Sequence, residues 1–183
     1  MLIEELFEIK KYKRKVESFA VDLLLFDIEK ERRSHTVYYL KYDYRMLQNL
    51  NGIERETILL GLEIAVSPIY YEIEYISFYV GKKISKISHN YNINYIEYSI
   101  KLIDEIFEST QEATYYSDII FEAYLNNDVL YFIDKKAVKN LIAYKINEDN
   151  YILMDQNNKV SGMVLKNFTE KELEIINSTE LML

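Results

Sequence analysis

The sequence predicts an α+β fold that is mostly α: an N-terminal helical module with a helix-turn-helix-like unit, followed by a small C-terminal antiparallel sheet with helices. Three observations predict it. Only four Gly and one Pro interrupt 183 residues, and such breakers are what cut a chain into short strands. Ile9, Tyr12, Val16, Phe19, Leu23 and Phe26 alternate spacings of three and four, the heptad pattern of a helix lying on a partner helix. After Leu141 the texture changes to short β-prone runs between polar turns. Hydrophobic residues make up 49% of the chain, enough to bury a substantial core in one domain or two small ones.

Taken in order, the first helix spans Leu2 to Lys30, and its apolar stripe suits a homodimer through Ile9, Tyr12, Val16, Phe19, Leu23 and Phe26. The intervening Lys10, Lys11, Lys13, Arg14 and Lys15 read as a solvated face, neutralised by Glu4, Glu5, Glu8 and Glu17. Thr36 to Tyr44 is ambiguous between strand and helix, and Asn49 to Gly52 is a break. From Ile53 a helix carries Ile58, Leu59, Leu62 and Val66 on one face. It ends at Ser67-Pro68, where proline opens the next helix, Ile69 to Val80. Gly81 and a lysine-rich segment follow. Ile96, Ile100, Ile103 and Phe107 then place a helix over Tyr95 to Glu108.

This module occupies residues 1–109, and residues 110–183 form an acidic α+β interaction or regulatory module. The second part holds a helix from Ser117 to Leu125, a turn at Asn126-Asn127-Asp128, and strands Leu141–Ile146, Tyr151–Asp155 and Val160–Lys166 in a meander. Thr169 followed by Glu172 is a capping box that opens a last helix, ending near Asn177.

Charge narrows the function classes. The chain carries a net −8 and a pI near 4.9. Residues 76–101 are the sole net-positive block, with Lys82, Lys83, Lys86 and Lys101 against Glu97. Residues 102–183 hold seven bases and fifteen acids. An acidic protein approaches DNA only through a local basic face, since each phosphate contact needs a cation. The absence of Cys excludes disulfides, thiolate zinc sites and a cysteine nucleophile, and suits the cytoplasm. Neither a signal peptide nor a membrane span is expected, because Asp22 and Asp27 break the most apolar stretch. The eighteen Tyr fit A+T-rich codon usage as well as a sticky surface.

No enzyme is expected. Gly52, Gly61, Gly81 and Gly162 lie too far apart for a phosphate-cradling loop, His35 and His89 have no metal-binding spacing, and no carboxylate pair stands out for acid/base work. Catalytic residues, metal and cofactors are therefore all read as none.

Tyr75 to Asn94 fits a helix-turn-helix instead. Ser77 precedes Gly81 by four positions, and Ile76, Val80 and Ile87 occupy apolar positions of the pattern, although Lys82 and Asn90 depart from it. Glu54-Arg55-Glu56, the run Tyr71 to Gly81 and the closing Tyr98 to Ile106 together resemble region 4 of bacterial sigma factors. They also resemble small phage transcription regulators of the ArpU type, over residues 1–107. The resemblance implies a DNA-binding transcriptional regulator from a phage or other mobile element. Its recognition helix would run from Ile84 to Asn94, with Ser85, Ser88, His89 and Asn90 at base edges and Lys82, Lys83 and Lys86 on phosphates. The alternative is an acidic inhibitor or immunity factor, directed for example against a nucleic-acid-binding defence protein. It would dock a basic protein partner through Asp104, Glu105, Glu108, Glu112, Asp118, Glu122 and Asp128.

Overall fold

The computed structural model describes residues 2–6, 12–32, 37–42, 49–50, 53–54, 61–81, 83–88, 90–97, 99–103, 113–116, 119–137 and 139–182. Among them the chain is built of strands: β1 (Leu2–Leu6), β2 (Tyr12–Ala20), β3 (Leu23–Lys30), β4 (Tyr38–Tyr42), β5 (Asn49–Leu50), β6 (Ile53–Glu54), β7 (Leu62–Val66), β8 (Ile73–Val80), β9 (Ser85–Lys86), β10 (Ile93–Ile96), β11 (Ser99–Ile103), β12 (Ala113–Tyr116), β13 (Phe121–Asn126), β14 (Val129–Asp134), β15 (Leu141–Asn147), β16 (Asn150–Met154) and β17 (Val160–Leu165). One α-helix, α1 (Glu170–Asn177), and a short 3-10 turn (Glu180–Met182) follow.

The mostly helical expectation is thereby overturned. The stripe assigned to the first helix is a hairpin of β2 and β3, with Val16 opposite Phe26 and a turn at Val21-Asp22. A spacing of four is a multiple of the strand period of two, so Tyr12 and Val16 share a strand face as readily as a helix face. The segments read as helices from Ile53 to Val66, Ile69–Val80, Tyr95–Glu108 and Ser117–Leu125 hold strands in their described parts: β6 with β7, β8, β10 with β11, and β13. The meander after Leu141 is present as β15, β16 and β17, antiparallel in sequence order. The capping box is present too: the Thr169 side chain accepts from Glu172 N–H, and the Glu172 carboxylate accepts from Thr169 N–H at 2.8 Å.

Two sheets face each other. One has the strand order β12-β4-β7-β8-β3-β2 and the other β10-β15-β16-β17-β14-β13-β9, with two small two-stranded ladders, β1-β11 and β5-β6, beside them. Both main sheets draw strands from either side of the 109/110 boundary, since β12 joins the first and β9 and β10 join the second. Between them runs a file of stacked rings: Phe26 on Phe78 (4.9 Å between centroids), Phe78 on Phe132 (4.5 Å) and Phe132 on Phe121 (4.6 Å). The file passes from β3 and β8 of one sheet to β14 and β13 of the other, and such offset ring pairs add to the stabilisation from buried area. Gly162 on β17 makes this packing fit: its φ is +140°, and a Cβ there would lie 1.9 Å from the Phe132 carbonyl oxygen.

Arg14 closes one edge. Its side chain is only 7% exposed, and all five guanidinium N–H groups are used. Two donate to the Glu172 carboxylate (2.8 and 3.0 Å), and the others to Asn150 Oδ1 (3.1 Å), Lys166 O (2.9 Å) and Asn167 O (3.2 Å). Its Cζ also lies 4.4 Å from the centre of the Phe168 ring. The residue expected on a solvated basic face is thus the latch between β2, the second sheet and α1.

Candidate interaction surface

The β7–β8 connection, expected to begin a helix at Pro68, is a closed turn. Ser67 N–H donates to Glu72 O (2.9 Å), Tyr71 N–H to Ser67 O (2.7 Å) and Tyr70 N–H to Ser67 Oγ (3.2 Å). Leu102 N–H donates to Tyr71 O (2.8 Å) from β11. Tyr71 takes φ +57° to complete the turn, a left-handed conformation that costs a residue with a Cβ about 1–2 kcal/mol. At its C-terminal side Lys30 Nζ is held by Glu72 (2.9 Å) and by the fully buried Glu74 (3.2 Å). On this fixed backbone Ile69 is 70% exposed and Tyr70 58%. Sequence reasoning missed the pair because Ser-Pro was read as a helix start. The same dipeptide before Ile-Tyr-Tyr is equally a turn signal, with proline setting φ at the second turn position.

The lysine-rich segment is not a recognition helix. Ser85 and Lys86 form β9 at one edge of the seven-stranded sheet, and Ile93 begins β10 at the opposite edge. The described residues 87, 88 and 90–92 therefore lie across the outer face of that sheet as a strap. Seven chain steps reach about 25 Å, whereas six interstrand gaps span about 29 Å in a flat sheet, so the sheet curls beneath the strap. Asn90 Oδ1 accepts from Asn126 Nδ2 (2.7 Å) and from the Tyr131 hydroxyl (2.9 Å), and Tyr91 meets Tyr124 and Tyr131 edge to face. The apolar residues of the strap, Ile87 and Tyr91, pack against the cluster that holds Tyr131, Ile133, Tyr151 and Val164. A helix would have turned half of these contacts away from the sheet. Lys83, Ser85, Lys86, Ser88 and Asn90 are exposed, while Lys82 and His89 lie outside the described residues.

Tyrosines of the strap and of the sheet beneath it have altered acidity. Burial raises the hydroxyl pKa values of Tyr91, Tyr95, Tyr131 and Tyr151, and for Tyr124 the hydrogen bond to Glu122 is the first cause of the rise. All stay neutral near pH 7, and those of Tyr124, Tyr131 and Tyr151 donate to Glu122, Asn90 and Glu97. Lys166 lies 3.6 Å from the centre of the Tyr95 ring and 4.6 Å from that of Tyr151, and desolvation lowers its pKa.

Of the acidic residues expected to meet a partner, Glu122 lies on β13. It accepts from the Tyr124 hydroxyl and pairs with Lys135 at 3.1 Å. Asp128 is exposed in the β13–β14 turn. Asp104, Glu105, Glu108, Glu112 and Asp118 lie outside the described residues. Within the stripe assigned to a homodimer, Val16 and Phe26 are buried in the chain's own core, whereas Phe19 is 62% exposed, with its ring packed edge to face with Tyr79; Ile9 lies outside the described residues. No group of His, Cys, Asp and Glu able to hold a metal exists among the described residues. No described helix is long and apolar enough to cross a membrane. No family model matches the chain, and a search of curated proteins finds no match.

Proposed function

We propose that this is a non-enzymatic, acidic protein-binding factor of the inhibitor kind, anchored to its partner by the Ser67–Glu72 turn. The observation that carries the reading is the exposure of Ile69 and Tyr70 on a backbone already fixed by four hydrogen bonds. Large apolar side chains left in water each forgo about 1.5–3 kcal/mol of burial. Anchors held in place before binding avoid the ordering cost that flexible loops meet. The net charge of −8 favours a basic partner and speeds encounter with it.

The test is site-specific photo-crosslinking in native cell extract, with the reactive residue at position 70 and, as a control, at the exposed Lys171. A basic protein captured from position 70 alone, and lost in an Ile69→Asp variant with unchanged melting temperature, is the expected result. Retention of that partner by Ile69→Asp would refute the turn as anchor. A salt-sensitive DNA complex that disappears in Lys83→Ala/Lys86→Ala would transfer the reading to DNA.

A further inference from the structure

The four edges of the two main sheets are not alike. Among the described residues β12 and β10 have four residues each and β9 has two, whereas β2, the last strand of the six-stranded sheet, has nine. Shortness is one way in which folded chains blunt an edge, because a row of unpaired N–H and C=O groups is a template for another strand. β2 lacks that protection. It bonds to β3 on one side, and among the described residues no backbone group meets Lys13 to Ser18 on the other. A bulge between Ser18 and Ala20 interrupts the strand only near its C-terminal end, so the regular edge runs as far as Ser18.

Alternation along β2 separates its side chains. Arg14 and Val16 face the other sheet, the first latched to α1 and the second in the core, so Lys15 and Glu17 stand on the outer face. Both side chains are in water, 64% and 41% exposed, and they pair with each other at 2.8 Å. A lysine on an edge strand opposes the addition of a further strand unless an acid stands opposite it. Here the strand's own sequence holds that acid, two residues away.

We infer that β2 pairs antiparallel with β2 of a second copy of this chain, about a two-fold axis at Val16. Such a contact is isologous, and it keeps inner face beside inner face only when the axis passes through a residue of the strand. Charge selects the residue. An axis at Arg14 sets Lys13 against Lys15, one at Lys15 sets that lysine against its own copy, and one at Glu17 does the same for the carboxylate. With the axis at Val16, each Lys15 faces the Glu17 of the other copy and Arg14 faces Ser18. The two internal Lys15–Glu17 pairs then become a square of four alternating charges. Main-chain hydrogen bonds supply the affinity, as in other strand additions, and the charges fix the register. The two six-stranded sheets run on as one across the axis.

The experiment is sedimentation equilibrium of the full chain at concentrations up to about 1 mM. The wild-type chain should show a reversible monomer–dimer equilibrium. Lys15→Glu sets carboxylate against carboxylate on both sides of the axis, and Glu17→Lys sets ammonium against ammonium. Each should raise the dissociation constant by about ten-fold, the factor that ~1.4 kcal/mol represents. Both side chains are exposed, so the variants should fold as the wild type does. In an equimolar mixture of the two variants every facing pair is again acid against base, and a heterodimer at least as tight as the wild-type dimer should form. The double variant Lys15→Glu/Glu17→Lys should self-associate as the wild type does. A wild-type chain that stays monomeric throughout, a dimer indifferent to both single reversals, a mixture no tighter than its components, or a monomeric double variant would each overturn the inference. The Ile69–Tyr70 turn leads into β8, two strands from β2, so Ile69→Asp should dimerise as the wild type does, and its loss of a captured protein bears on the turn alone.

Discussion

Replacing Arg14 by Met removes a guanidinium whose five N–H groups are all engaged and leaves the Glu172 carboxylate, with a side chain 15% exposed, without its cation. Three of the lost bonds went to neutral oxygens, each worth about 0.5–1.5 kcal/mol net. Breaking a buried pair by removing one partner costs about 3–5 kcal/mol in total. For a chain of this size that corresponds to roughly 2–4 °C per kcal/mol, so the melting temperature should fall by about 10 °C. The pH dependence gives an independent check. Burial alone would raise the Glu172 pKa, but hydrogen bonds from Arg14 and Thr169 outweigh it and hold the carboxyl below its ordinary 4.5. A folded-state pKa that is depressed contributes stability that is present above the unfolded value and is lost as pH falls through the folded one. The gap in melting temperature between wild type and Arg14→Met should therefore be full at neutral pH and narrow in acid. Differential scanning calorimetry from pH 7 to about pH 3 measures both effects. A neutral-pH loss under about 1 kcal/mol, or a gap that widens in acid, would show that the latch is a surface pair of the weak kind.

Gly162→Ala should cost at least about 3 kcal/mol or abolish soluble expression, because the new Cβ meets the Phe132 carbonyl and the backbone must leave φ +140°; near-wild-type melting would contradict the strand geometry there. Val16→Asp places a charge in the core and should unfold the chain, whereas Phe19→Asp should change stability by less than about 1 kcal/mol. Equal effects in urea titration would argue for a shared intermolecular stripe. At Asn127, which holds φ +52° in the β13–β14 turn, Ala should cost about 1 kcal/mol and Gly should be close to neutral. Thermal unfolding of the two variants separates this backbone effect from loss of a side-chain contact.

What the sequence revealed and what it concealed follow from the same residues. The strands after Leu141 and the Thr169–Glu172 cap were legible because local chemistry decides them: polar turns of two to five residues in the one case, reciprocal side-chain and backbone bonds in the other. The N-terminal half was misread because scarce glycine was taken to mean scarce turns. Its described turns at Val21-Asp22 and Ser67–Glu72 form without glycine, the second through Tyr71 at φ +57°, and in the C-terminal part asparagine takes the left-handed positions, at Asn127, Asn140, Asn158 and Asn167, since its short polar side chain tolerates that conformation better than most. The helix-turn-helix pattern failed for an arithmetical reason. Ile76 and Val80 are four apart, which puts them on one face of a strand as well as of a helix, and both are buried in β8. The Ser67–Glu72 turn was hidden by the ambiguity of Ser-Pro, and the pocket lined by Tyr42 and Tyr116 could not be read at all. Tyr42, Tyr116, Asp134 and Asp155 come from four separate strands or loops and meet only through sheet topology.

The file of stacked phenylalanines sets a timetable for synthesis. Phe26 and Phe78 leave the ribosome well before Phe121 and Phe132, the rings they stack against or align with in the opposing sheet. Val80, the end of β8, precedes Leu165, the end of β17, by 85 residues, or roughly 4–17 s at typical elongation rates. For the first 54 residues of that interval, until β14 ends at Asp134, Phe78 lacks the Phe132 ring on which it stacks. The backbone latch of the first sheet arrives later still, when Ile84 N–H finds Leu181 O and Val21 O receives Glu180 N–H. A nascent chain stalled inside this window displays a wide aromatic surface, which makes it a natural client for chaperones and gives a slowed ribosome a direct route to aggregation.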